Sequence, residues 1–169
     1  MGKVFFISDT HFDHENIIKY EDRPFKSIEE MNKQIIKNWN NTVKKNDKIF
    51  ILGDFAFGNK ERIREIISGL NGYKALVIGN HDMYPESFWR EAGMFEVSKY
   101  PIIYKDFWIL SHNPLYMNDS MPYCNIHGHI HSRKMEGNKY FNVSVECIDY
   151  KPILFEDIKK HIMKQEKQP

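Results

Sequence analysis

The sequence predicts a layered α/β fold, on two observations. Short apolar runs rich in β-branched and aromatic residues alternate with amphipathic stretches that carry apolar residues at helical spacing. This alternation is typical of strands and helices that pack in layers. Hydrophobic residues make up 41% of the chain and charged residues 28%, as in an ordinary globular domain. The length of 169 residues suits one such domain, so we expect residues 1–169 to form a single unit.

Six apolar runs predict the strands. Four are short and nearly uninterrupted, which is typical of strands covered on both faces. The other two are less uniform, and the second of them alternates between apolar and polar residues, as a strand with one wet face does. In chain order the runs are Val4–Ile7, Ile49–Leu52, Ala75–Ile78, Phe107–Leu110, Tyr123–Ile126 and Tyr140–Val145.

Four amphipathic stretches predict helices. Ser27 and Glu30 have the spacing of a capping box, and apolar residues follow at helical intervals as far as Trp39. Asn59 is a candidate cap for a second helix that ends near Gly72. The third and fourth helices are predicted over Pro85–Ala92 and Glu156–Gln168, with Ile158 and Ile162 on the inner face of the last one.

Metal-capable side chains follow five of the predicted strands. In open α/β sheets a binding site lies at the carboxyl ends of the strands, so we expect these side chains to converge there. The segments, in order, are Ser8-Asp9-Thr10-His11, Gly53-Asp54, Gly79-Asn80-His81-Asp82, Ser111-His112 and Gly128-His129-Ile130-His131.

The residue types in these segments indicate a divalent metal site without thiolate ligands. Imidazole, carboxylate and amide groups suit Mn²⁺, Fe, Zn²⁺ or Ni²⁺. The two cysteines, Cys124 and Cys147, form no C-x-x-C pair. Two ions sharing a bridging carboxylate would use so many ligands well. The seven candidate ligands are Asp9, His11, Asp54, Asn80, His112, His129 and His131.

The order D-x-H, G-D, G-N-H-D, S-H, G-H-x-H resembles the calcineurin-like metallophosphoesterase superfamily. The opening from Ser8 to Phe12 resembles its small bacterial and phage members, and the resemblance extends from Phe5 to about His131. It implies two mixed sheets flanked by helices, with no room for the cap domain of larger relatives. It also implies hydrolysis of a phosphate ester by a hydroxide that bridges two divalent ions, of which Mn²⁺ is the first expectation.

The resemblance also implies a role for each motif residue. Asp54 would bridge the two ions. His81 would face the substrate and donate a proton to the leaving group, and Asp82 would hydrogen-bond to His81 and keep it protonated. The first ion would be held by Asp9, His11, Asp54 and His131. The second would be held by Asp54, Asn80, His112 and His129.

Two further residues are candidates for substrate binding. His14 follows the first motif; its alternative role is to cap the next helix. Arg23 is a candidate phosphate clamp, because a guanidinium matches phosphate oxygens in a bidentate manner. Its alternative is a solvated loop arginine.

The substrate expected first is a phosphodiester, either a small molecule or a nucleic-acid end, because a site without a cap admits groups on both sides of phosphorus. One alternative is a phosphomonoesterase or protein phosphatase with the same metals, in which His14 or Arg23 would supply an extra phosphate contact. Another is a non-catalytic module of the same fold; the presence of His81 and all seven ligands disfavours it.

Charge and hydropathy predict a cytoplasmic protein without a membrane partner. The chain carries 24 basic and 23 acidic residues, so its net charge of +1 indicates no general attraction to nucleic acid or membrane. No apolar run approaches the ~18 residues that a spanning helix needs, and the first residues do not form a signal peptide. Nothing in the sequence specifies an oligomeric state.

Overall fold

The computed structural model describes residues 2–165, in which nine strands form two mixed sheets. The strands of the first sheet are β1 (Val4–Ile7), β2 (Lys48–Ile51), β3 (Tyr73–Val77), β4 (Glu96–Ser98) and β9 (Ile153–Leu154). Their order is β4-β3-β2-β1-β9, in which the first four strands are parallel and β9 pairs antiparallel to β1.

The second sheet has four strands. They are β5 (Ile102–Tyr104), β6 (Trp108–Leu110), β7 (Cys124–His127) and β8 (Tyr140–Asn142). The order is β5-β6-β7-β8, with β6, β7 and β8 parallel and β5 antiparallel to β6. Both sheets thus send several strands toward one end, which brings the loops after those strands together.

Within the described residues, five α-helices flank the sheets: α1 (Ile17–Tyr20), α2 (Ile28–Thr42), α3 (Lys60–Ser68), α4 (Glu86–Glu91) and α5 (Phe155–Gln165). The side chains of Ser27 and Asn59 accept hydrogen bonds from the third residue of their helices, which confirms both predicted caps. The reciprocal bond of the capping box is absent, because the Glu30 carboxylate accepts from the Lys26 N–H instead. The predicted extension of the last helix over residues 166–168 lies outside the described residues.

Aromatic rings hold the two sheets together. Phe6 and Phe50 of the first sheet stack with centroids 5.2 Å apart. Tyr104 of the second sheet packs its edge against Phe50 at 5.1 Å, and Phe155 of α5 lies 5.3 Å from Trp108. Such pairs contribute about 0.5–1.5 kcal/mol each beyond the area they bury. The predicted two-sheet architecture is therefore confirmed.

The strand predictions differ from the structure at the margins of the sheets. The strands β4, β5 and β9 were not predicted, because two or three residues are too few to show a periodicity. The run at β6 was expected to be covered on both faces, but Phe107 at its start is 56% exposed. No helix within residues 2–165 combines the length and apolar character that a membrane crossing needs.

The two sheets meet at their carboxyl ends through backbone hydrogen bonds. The N–H of Ser8, which follows β1, donates to the Val143 carbonyl at 2.9 Å. The N–H of Val145 donates to the Ser8 carbonyl at 3.1 Å. This bridge places the loop after β1 against the chain that leaves β8, and the predicted metal ligands lie around it.

Candidate metal centre

The backbone adopts left-handed conformations at five of the seven candidate ligands. A positive φ is uncommon for residues other than glycine and costs on the order of 1 kcal/mol or more at each position. Residues held in this way cluster at functional sites. The five are Asp9 (φ 56°), His11 (47°), Asp54 (53°), His129 (69°) and His131 (51°).

Two glycines of the motifs allow the loops to approach one another closely. A Cβ atom at Gly79 would overlap the Asp54 carboxylate and backbone. A Cβ atom at Gly128 would overlap the hydroxyl of Ser8 and the carboxylate of Asp9. The absence of a side chain at these positions therefore lets the carboxylates reach the centre of the site.

Asp9 presents one satisfied and one unsatisfied carboxylate oxygen. Its Oδ2 accepts from the hydroxyls of Ser8 and Ser144 at 2.5 and 2.9 Å and from the His129 N–H at 2.9 Å. Its Oδ1 is buried without a partner and lies 3.9 Å from His11 Nε2, which is also buried without a hydrogen bond. Burial raises the pKa of Asp9, and burial lowers that of His11 to about 2.

A second group of acceptors converges on His112. The ring Nδ1 lies 2.8 Å from the Leu52 carbonyl, which can only accept, so the proton sits on Nδ1 and Nε2 carries a lone pair. That Nε2 lies 2.9 Å from Asn80 Oδ1, 3.1 Å from His129 Nδ1 and 3.5 Å from Asp54 Oδ2. Acceptors packed this closely need a cation or a proton between them.

Asp54 lies between the two groups. Its Oδ2 is 3.5 Å from His11 Nε2 and also 3.5 Å from His112 Nε2. Its Oδ1 accepts from the His81 N–H at 2.9 Å. One carboxylate oxygen is therefore within reach of an ion in either group, while the other oxygen is fixed by the backbone.

These clusters fit divalent ions. Ligand atoms of Asp9, His11 and His131 lie within 4.8 Å of one another, and the same holds for Asp54, His112 and His129. The orphaned oxygen of Asp9 and the bare nitrogens are the donor types that Mn²⁺, Fe, Zn²⁺ and Ni²⁺ accept. All seven predicted ligands are thus brought to one place: Asp54 belongs to the second cluster and also lies beside His11 of the first, and Asn80 lies beside His112.

Arg23 is neither a phosphate clamp nor a solvated loop arginine, so both expectations for it were wrong. Its side chain is fully buried and is occupied by other groups. Nη2 donates to the Asp9 carbonyl at 2.7 Å, and Nη1 donates to that of Thr10 at 3.1 Å. Nε and Nη2 both donate to Glu146 Oε1, which lies 3.1 Å from His131 Nδ1. The physical reason is that two backbone carbonyls and a buried carboxylate surround the guanidinium and occupy its N–H groups, so none of them faces solvent or the cleft.

Glu146 was missed by the sequence analysis. It is the middle residue of a short 3₁₀ turn, Val145–Cys147, and stands outside every motif, 123 residues from Arg23. Burial opposes its ionisation, but the His131 hydrogen bond and the Arg23 charge outweigh this and lower its pKa. No local signal marks it, because its partners are distant in sequence.

Asp82 does not hold His81 as expected. Its Oδ2 accepts from the N–H groups of Asp54 and Gly79 at 2.9 and 2.8 Å, and its Oδ1 accepts from Phe55 N–H at 2.9 Å. Burial raises the pKa of Asp82 to about 6, against the effect of these bonds. The carboxylate thus joins the loops after β2 and β3, and we correct its role to that of a backbone clamp.

His81 and His14 border the clusters on the side that faces solvent. His81 is exposed, and its ring lies 5.6 Å from that of His11. His14 is half-buried and stacks on Phe57 with centroids 4.1 Å apart. Burial and then the charge of His81 lower the pKa of His14. The helix α1 is capped by Asn16 without a side-chain hydrogen bond, so the His14 side chain is not the cap.

Imidazole and carboxylate clusters at the joined carboxyl ends of two mixed sheets define a metallophosphoesterase type of protein. A sequence model described as calcineurin-like phosphoesterase matches residues 2–167. The chain belongs to this family, whose members hydrolyse phosphate esters with divalent metals.

Two known proteins are similar to this chain over nearly its whole length, and a third shares its fold. An uncharacterized protein of Methanocaldococcus jannaschii is 40% identical over an alignment 178 positions long, which covers 97% of this chain and 93% of that protein. A crystal structure of a protein of unknown function from Aquifex aeolicus has a TM-score of 0.73 and 30% identity, over 95% of this chain and 99% of that one. The nuclease MPE of Pseudomonas putida shares the fold, with a TM-score of 0.53 and 16% identity over 76% of this chain and 61% of that one.

The clamp role of Asp82 predicts an effect on stability that an orienting role for His81 would not produce. In Asp82→Asn, an amide NH₂ would face backbone N–H donors. We expect the free energy of unfolding to fall by about 1–3 kcal/mol, the cost of leaving buried donors unsatisfied. Urea unfolding of the metal-free protein measures this, with the exposed His81→Asn as the control. Equal stability of wild type and Asp82→Asn would contradict the clamp.

Proposed function

We propose that this protein is a phosphodiesterase that uses two divalent ions, with Asp54 as the ligand that both ions share. The observation that carries the proposal is the placement of Asp54 Oδ2 at 3.5 Å from the bare nitrogen of one histidine in each cluster. We take residues 1–169 to act as one domain without a cap, and Mn²⁺ as the first metal to test.

The ions, when bound, would neutralise phosphoryl charge and acidify a water at neutral pH. The protein's own groups supply the rest of the chemistry. The rigid loops fix where the phosphoryl group sits, because their backbone is tied by Asp82 and Arg23. His81 is the proposed general acid, since its ring is exposed beside the clusters while its N–H is held by Asp54.

The preference for a diester is supported by the openness of the site. His81 is exposed, and His14 and His129 are only half-buried, so groups on both sides of phosphorus can extend into solvent. The nuclease MPE of Pseudomonas putida, at 16% identity, supports the fold and not this preference. The burial of Arg23 removes one of the two extra phosphate contacts that a monoesterase was expected to use. His14 remains the candidate substrate contact.

The choice between the two ester classes has a direct test. We expect Mn²⁺-dependent hydrolysis of bis-p-nitrophenyl phosphate that is faster than hydrolysis of p-nitrophenyl phosphate and that a chelator abolishes. The initial rates of p-nitrophenol release measure both reactions under one set of conditions. A faster monoester would favour the phosphomonoesterase alternative. Metal binding without turnover of either ester would indicate a narrower substrate, and the absence of both metal and turnover would favour the non-catalytic module.

The shared role of Asp54 predicts the loss of both ions from a single substitution. Asp54→Asn keeps the size of the side chain and its hydrogen bond from the His81 N–H but removes the charge. We expect metal content after desalting to fall from two ions per chain toward none. Asn80→Ala, which alters one cluster only, serves as the matched control and should retain one. If Asp54→Asn kept one ion tightly bound, the shared role would be wrong.

The proposed acid should be separable from the metals. Because His81 lies outside both clusters, His81→Ala should keep its metal content while turnover falls by roughly 10²–10⁴, the usual contribution of a positioned acid. Elemental analysis and the diester assay on the same preparation measure the two quantities. A loss of metal in His81→Ala would instead make this residue a ligand.

A further inference from the structure

A buried ion pair lies directly behind one of the two clusters. Glu146 Oε1 accepts from Arg23 Nη2 at 2.6 Å and lies 3.1 Å from Nδ1 of His131. The side chains of Arg23 and Glu146 are 0% and 6% exposed, so neither can contact a substrate in the cleft. A buried pair of this kind is expensive to form, which makes a role beyond packing the simpler explanation for its position.

Hydrogen bonds from this pair orient one ligand ring and hold the turn that carries two other ligands, Asp9 and His11. Glu146 receives the Nδ1 proton of His131, which leaves Nε2 of that ring as the nitrogen available to an ion. Arg23 holds the carbonyls of Asp9 and Thr10, in the turn that leads to His11. Since Asp9 and His11 both have a positive φ, this turn needs such an anchor.

Charge gives the pair a second effect. A buried guanidinium beside a cation site repels the ion unless an anion compensates it, and Glu146 is that anion. The other cluster has a different support, because His112 donates its Nδ1 proton to the neutral carbonyl of Leu52. The two clusters are therefore tuned by different groups.

We propose that Glu146 and Arg23 are positioning residues that set the metal affinity of the cluster Asp9, His11 and His131, without contacting the substrate. The inference rests on the proposed function only in that both clusters bind divalent ions. It assigns to Arg23 a role opposite to that of a phosphate clamp: it acts from behind the metal ligands rather than from the cleft.

Glu146→Gln tests this role with little change in shape. The amide oxygen can still accept from Arg23, but the charge that balances the guanidinium and strengthens the His131 ligand is gone. We expect the affinity of one of the two Mn²⁺ sites to fall about 10–100-fold, the usual effect of losing such a partner, and the other site to keep its affinity. Calorimetric titration of the metal-free full chain with Mn²⁺ measures both.

Two variants and one rescue sharpen the test. Glu136→Gln makes the same charge change at an exposed position and should leave both affinities unchanged. Arg23→Lys keeps the charge but replaces a planar guanidinium, which bonds its partners through three nitrogens, with a single ammonium nitrogen, so it should weaken the same site as Glu146→Gln. Retained binding at the second site reports that each variant is folded. Excess Mn²⁺ should restore diester turnover in Glu146→Gln, which a purely structural defect would not allow.

The outcomes separate this inference from the proposed function. If the wild type bound no Mn²⁺, both would fail. If the wild type bound two ions and Glu146→Gln bound them equally well, only the positioning role would fail. A carboxylate oxygen of Glu21 also lies within 4.8 Å of ligand atoms of His131 and Glu146. Three ions in the wild type and two in Glu146→Gln would make Glu146 a ligand and would overturn the positioning role.

Discussion

The convergence of unpaired acceptor atoms at the junction of the two sheets is the constraint on which the rest of the site depends. Asp9 Oδ1 and both ring nitrogens of His11 are buried without a hydrogen-bond partner, and Nε2 of His112 faces further acceptors. A buried acceptor without a partner costs about 1–3 kcal/mol, and several of them side by side repel one another. Cations relieve this repulsion, so the arrangement suits a cation site. The surrounding loops must then hold the ligands in place whether or not an ion is bound.

The loops do so mainly through backbone contacts. Asp82 receives three N–H groups from the turns after β2 and β3, and Arg23 donates to two carbonyls of the turn after β1. These bonds keep left-handed conformations at residues whose side chains would otherwise relax away from the centre. Both groups are charged, and both are removed from solvent. Their partners are fixed backbone groups, so the geometry of the turns is specified more tightly than packing alone would achieve.

The sequence predicted the candidate ligands, which all follow strands directly. It failed for the two residues whose hydrogen-bond partners are distant along the chain. Every candidate metal ligand follows a strand within a few residues. All seven could therefore be predicted to lie together, because the carboxyl ends of the strands converge. Arg23 was misassigned because Glu146, its main partner, lies 123 residues away in a segment without a motif. Asp82 was misassigned because the expected hydrogen bond was to its neighbour in sequence, His81. The carboxylate instead accepts from N–H groups of a loop 27 and 28 residues earlier. Adjacency along the chain predicts a hydrogen bond poorly when the backbone of another loop is closer in space.

The separation between a buried centre and an exposed rim follows from these contacts. The N–H of His81 is bound to Asp54, so the position of the proposed acid is set by the same carboxylate that the two ions would share. Its ring, however, remains exposed beside Phe57 and near the half-buried His14. The candidate ligands are therefore held from their buried side. Glu146 binds the ring of His131, Arg23 binds the carbonyl of Asp9, and Asp82 binds the N–H of Asp54. The substrate meets a rim whose side chains face solvent. Within residues 2–165, the hydrogen bonds that orient the candidate metal ligands come from serine hydroxyls, Glu146 and the backbone rather than from the rings of His81, His14 or Phe57. Under the proposed function, substitutions at the rim can therefore change which ester is accepted while these bonds stay in place.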